Sequence, residues 1–158
     1  MAFDGFPAPF EFEPREGGSV KGPAFSLSFR LLTFILVAGC SVWGAHLWQQ
    51  GALGAPESQG GWWLLAALSL LQITAFYIWR SQTSISSSAL KQSWIWDKEM
   101  AVAELSYAKL IRWPGFDWLI APRLYVRSMG GKFATFYSAD SRVLAEFERL
   151  SEQLKKPR

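Results

Sequence analysis

Between Arg30 and Glu57 the chain carries no charged residue, and between Glu57 and Arg80 it again carries none. Crossing a bilayer takes roughly 20 mostly apolar residues in a helix. The runs LLTFILVAGCSVWGAHLWQ (31–49) and WWLLAALSLLQITAFYIW (62–79) meet that length, and the turn-rich GALGAPESQGG lies between them. The pattern predicts a transmembrane helical hairpin over 25–82, with helices at about 27–50 and 62–80. Two alternatives fit less well. A buried helix pair of this length needs a larger core than 158 residues provide. A signal peptide cut before Pro56 would follow a long acidic segment instead of a short basic one.

Basic residues set the expected orientation, because Lys and Arg near helix ends are retained in the cytoplasm. Arg15, Lys21 and Arg30 precede the first helix, Arg80 and Lys91 follow the second, and the connector has neither Lys nor Arg. Both termini are therefore expected in the cytoplasm. Trp62 and Trp63 would anchor the outer interface, Tyr77 and Trp79 the inner one.

Residues 1–24 are rich in Pro, Gly and Phe, with four acids against two bases. They show no sustained period and are expected to form a disordered cytoplasmic tail, with docking of Phe3, Phe6, Phe10 and Phe12 as the alternative. After Arg80 the pattern turns to short strands. Thr83–Trp96 reads as strand up to a charged turn at Asp97–Glu99, and Met100–Trp113 runs to a Pro114-Gly115 turn. In WLIAPRLYVRSM, Leu124 and Val126 should face opposite to Tyr125 and Arg127. Gly130-Gly131 is a two-residue hairpin signal, and Phe133, Thr135 and Tyr137 share one face of the returning strand. Asp140 suits a helix N-cap, and Val143, Phe147, Leu150 and Leu154 form one helical stripe. The fold class expected is an α+β membrane protein: a two-helix hairpin, then a small antiparallel sheet with a C-terminal amphipathic helix over 83–158.

This order of parts resembles the bacterial PH-like membrane proteins. The resemblance runs from about Leu31 to Leu154 and rests on TSISSSALKQS after the second helix, AVAELSYAKLIRW as a strand pair with a central turn, LYVRSMGGKFATFYS as a hairpin and ADSRVLAEFERL as the closing helix. The sheet reads as short for the seven strands of a full PH fold. The resemblance implies residence in the bacterial inner membrane and a non-enzymatic module that binds protein or membrane. The residues agree, since there is no Ser/His/Asp set, glycine-rich phosphate loop or paired-carboxylate cleft. A single cysteine leaves no intramolecular disulfide and no cysteine pair for a zinc site or a CxxC centre. No catalytic, cofactor-binding or metal residue is expected.

From Arg80 onward there are thirteen bases and eight acids. Anionic lipid attracts nearby Lys and Arg, so Arg112, Arg123, Arg127 and Lys132 are candidates for a membrane-facing or partner-facing patch; a solvated strand face is the plain alternative. The charge excess is too modest to point to nucleic acid. Gly39, Cys40 and Gly44 offer a small-residue face for helix packing, and Gln72 a mid-helix amide for the same contact. The expected partners are the bilayer and a membrane protein or a second copy of the chain, in an accessory or assembly role. A competing expectation makes His46, the lone histidine, a haem or chlorophyll ligand.

Overall fold

The computed structural model describes residues 10–52 and 59–155. The first strand, β1 (Ser19–Pro23), precedes a helical hairpin of α1 (Leu27–Gln49) and α2 (Gln59–Arg80). There follow β2 (Gln82–Ser86), β3 (Ala89–Gln92), β4 (Lys98–Ala101), a 3-10 turn at Val102–Glu104, β5 (Leu105–Ile111), β6 (Arg123–Ser128), β7 (Phe133–Tyr137) and α3 (Ser141–Lys155). The strands make two antiparallel sheets, β1-β2-β3-β4 and β5-β6-β7.

Both hairpin helices are long and apolar enough to cross a membrane. Ser26 starts α1 by accepting the Phe29 N–H at 3.2 Å. Gly51, at φ 67°, follows its end and donates to the Trp48 carbonyl. The helices are not enclosed by the rest of the chain. Only Gly44 is buried in α1, and only Gly61 and Ile78 in α2, while Leu32, Phe34, Ile35, Leu70 and Ile73 stand exposed. A helix pair forming the core of a soluble protein would bury most of these residues.

The segment before the hairpin differs from expectation. Over residues 10–24 the disordered tail is replaced by ordered chain, while residues 1–9, with Phe3 and Phe6, lie outside the described residues. Phe10 and Phe12 are in the core, and β1 pairs with β2 in the register Val20↔Ile85 and Pro23↔Gln82. Two features explain this. Gly17 and Gly18 hold φ 73° and 83°, turning the chain into β1, and Val20 is buried between exposed Ser19 and Lys21 in a strand too short to register as periodic. Pro23 is tolerated because β1 is an edge strand, where a missing N–H costs no ladder bond. The domain therefore begins well before 83, and counting β1 brings its strands to seven.

Three turns also differ. Lys98 and Glu99 belong to β4, where Glu99 pairs with Lys91 across the ladder at 3.0 Å, so the turn lies earlier, at 93–97. The stretch from Thr83 is divided by a turn in which Ser86 Oγ accepts the Ala89 N–H at 3.0 Å. The β6–β7 loop has three residues, Met129–Gly131, closed by Ser128 N–H to Lys132 O at 2.7 Å with Gly131 at φ 80°. That is the longer hairpin type with a glycine in the left-handed position.

The core lies between the sheets and α3. Ile85 and Leu90 from one sheet meet Leu105, Leu124, Val126 and Phe136 from the other, and Val143, Phe147 and Leu150 of α3 close it. Alternation along β6 matches the expectation: Leu124 and Val126 point in, Tyr125 and Arg127 out. Asp140 caps α3, its Oδ1 accepting the Arg142 N–H at 2.8 Å.

Candidate functional surfaces

The sheet register divides the β domain into two ends. Gly22, Thr83, Gln92 and Lys98 lie in one ladder row, next to the hairpin. Ala24 N–H donates to Ser81 O at 3.1 Å, Ala139 N–H to Pro23 O at 2.9 Å and Thr83 Oγ1 to Tyr137 O at 2.5 Å. These bonds bring the ends of β1, β2 and β7 together where the helices emerge. The opposite end carries the Ser86–Ala89 turn and the Met129–Gly131 loop.

The four predicted basic residues do not form one patch. Arg112 pairs with Glu148 of α3 at 2.9 Å. Arg123 sits at the hairpin end of β6, opposite Tyr137. Arg127 lies four residues further along β6, about 13 Å away at strand rise, and Lys132 closes the distal loop against Ser128. Lys109, Arg123 and Arg127 make no ion pair among the described residues.

The outer face of β5-β6-β7 holds aromatic residues between these cations. Opposite Arg127 stand Tyr107 and Phe133, and opposite Tyr125 stand Lys109 and Thr135. The Tyr125 ring lies 6.4 Å from Tyr107 and 6.5 Å from Phe133, centroid to centroid, and Phe133 is 73 % exposed. Tyr107, Lys109 and Phe133 had no part in the predicted site. The signal was the shared face of Tyr125 and Arg127; what was missing was the register that brings the neighbouring strands beside it.

A second surface rings the hairpin end. Phe25 stacks on Phe29 at 5.4 Å and Tyr137 at 5.8 Å and meets Trp94 edge-on at 5.2 Å. These rings, with Lys98, Leu119 and Ile120, line a cleft of about 400 Å³. Exposed Ile95, Trp96, Trp113, Phe116 and Trp118 project from the loops beside it.

In the hairpin, Gly44 is the contact: a Cβ there would meet Leu68 Cδ1 at 3.0 Å and Leu64 at 3.6 Å. Gly39 is exposed with nothing near its Cβ position, and Cys40 is half-buried. Gln72 is exposed and lines a groove of about 420 Å³ between the two helices, with Phe34 and Val37 of α1 and Phe76 of α2. Arg30 and Arg80 sit at one end of this groove. Arg30 reaches Ser81 O at 3.4 Å, while its Nε is buried without a partner among the described residues.

His46 is exposed in the last turn of α1, its Nε2 3.0 Å from the Gln50 amide, and lines neither the cleft nor the groove. Among the described residues no group of three or more His, Cys, Asp or Glu could hold a metal ion. One titratable pair stands out. Burial would raise the Asp140 carboxyl, but hydrogen bonds from the Arg142 side chain and backbone outweigh it and hold the group below its ordinary value. In comparisons with known proteins, no family model, no curated protein and no solved structure matches the chain.

Proposed function

We propose that this chain is a non-catalytic integral protein of the bacterial inner membrane whose PH-like cytoplasmic domain holds a protein partner, as an accessory or assembly factor of a membrane complex. The observation that carries the reading is the outer face of β5-β6-β7, where Tyr107, Tyr125 and Phe133 surround Arg127, which makes no ion pair among the described residues. Aromatic residues and Arg are the types enriched at protein interfaces and their hot spots. Its distal half stands away from the hairpin, out of reach of the leaflet that the helices would enter.

Several features support the membrane part. Two uncovered apolar helices leave the same end of the β domain, and Lys and Arg flank that end alone. Seven strands and a closing helix agree with a PH-like layout, with the hairpin inserted after the first strand. Crosslinking in membranes, followed by purification in detergent, tests the reading. A reproducible partner should copurify with the wild type and be lost from a Tyr125→Ala/Arg127→Glu variant. Recovery of the wild type alone, or an unchanged partner on the variant, overturns it.

A further inference from the structure

The apolar side chains at the hairpin end of the domain are unexplained by a partner-binding face on the outer sheet. Six large ones, Ile95, Trp96, Trp113, Phe116, Trp118 and Ile120, are exposed on just two connections, β3–β4 and β5–β6. Trp96 is 77 % exposed and Trp118 61 %. Patches of this kind mark contact sites, because water is a poor neighbour for them.

Both connections are fixed in height against the first turn of α1. Ser26 Oγ, which caps the helix, donates to Leu119 O at 3.1 Å. Phe25, one residue earlier, holds Trp94 edge-on. The β5–β6 connection is itself ordered by turn bonds, Phe116 N–H to Trp113 O at 3.0 Å and Ile120 N–H to Phe116 O at 2.7 Å. Its aromatic side chains are thus carried on a braced loop.

The height matters. The uncharged run of α1 begins after Arg30, and Ser26 is one helical turn earlier, about 6 Å along the axis. The polar interfacial zone of one leaflet is about 5–8 Å thick. A loop bonded to Ser26 therefore lies within the headgroup layer when α1 spans, and Trp is the side chain that favours this layer, with an apolar body and a polar N–H. Arg123 and Lys98, at the hairpin ends of their sheets and without an ion pair among the described residues, add charge suited to lipid phosphate.

We infer that the 93–97 and 112–122 connections insert their aromatic side chains into the headgroup region of the leaflet that α1 and α2 enter, clamping the β domain in a fixed pose on the bilayer. The inference rests on the spanning hairpin proposed above. The occupant of the patch is lipid, since both loops are tied to the helix end at interface depth.

The test uses the full chain with Cys40→Ala, reconstituted in vesicles of phosphatidylethanolamine and phosphatidylglycerol. Single cysteines placed by Trp96→Cys, Trp118→Cys, Ser87→Cys or Leu36→Cys carry an environment-sensitive fluorophore. The labels at 96 and 118 should emit to the blue of the label at 87 and be quenched by lipids bearing a nitroxide at the headgroup. The label at 36, in α1, should be quenched only by a nitroxide deep in the acyl chain. Labels at 96 and 118 that match the one at 87, with 36 lipid-buried, overturn the clamp and leave the spanning hairpin standing. A water-exposed label at 36 overturns both.

Discussion

Gly22 of β1 lies so close under Asp140, the capping residue of α3, that a Cβ on Gly22 would overlap the Asp140 Cβ. The atom in the way is the first of its side chain and cannot swing aside without moving the helix start. Gly22→Ala is therefore expected to destabilise the β domain by about 1–3 kcal/mol, the usual cost of overpacking. Denaturant unfolding in detergent measures it, with Gly39→Ala as the control in open space.

Asp140 should give a pH signature. Its carboxyl is held below the ordinary range, so its contribution is present above the unfolded value of about 3.9 and fades as pH falls through the lower folded one. Asp140→Ala should cost about 1 kcal/mol near neutrality, as loss of an N-cap does. Unfolding midpoints of the two proteins should begin to converge below about pH 4 and meet only below the lower folded value. A difference that persists unchanged there would show that the cap works without its charge.

Phe12 is buried beneath the guanidinium of Arg149, 5.5 Å from ring centroid to Cζ. Phe12→Ala should destabilise the domain by about 3–5 kcal/mol, the range for deleting a buried aromatic ring. Removing residues 10–24 should leave the β domain unfolded, since β2 then loses one of its two partners and the core loses Phe10, Phe12 and Val20. Limited proteolysis reads both outcomes, and a truncated chain as resistant as the intact one would contradict the role of β1.

For the hairpin, the two glycines of the small-residue face should behave differently. Gly44→Leu pushes into Leu64 and Leu68 and should lower the thermal midpoint in detergent, by roughly 2–4 °C per kcal/mol lost in a chain of this size. Gly39→Leu should leave it within error. Equal effects at both sites would mean that the helices pack through a different face.

The parts legible in the sequence were those with long or strict periods. The uncharged runs marked α1 and α2, alternation placed Leu124 and Val126 inward, and the stripe from Val143 to Leu154 marked α3. The first strand was not legible, because five residues with one buried Val and a terminal Pro carry no period. Its pairing with β2 depends on residues across the whole hairpin, which no local window contains. The same holds for the outer face, where Tyr107 and Phe133 reach Arg127 from separate strands. The ion pair of Arg112 was hidden for a related reason: its acid, Glu148, comes from the helix.

Pro23 and Gln82 are paired neighbours in one sheet, yet everything between them is hairpin. Synthesis makes this an ordering problem. β1 leaves the ribosome first and must wait, unpaired at one edge, until both helices have been made and returned antiparallel. Such distant pairing slows folding, although the entropy of closing a longer loop grows only slowly. A chain whose helices failed to return would leave Phe10, Phe12 and Val20 without their sheet and open to proteolysis. Completion of the small domain thus acts as a checkpoint on the hairpin, and only a correctly turned pair of helices lets β1 reach β2.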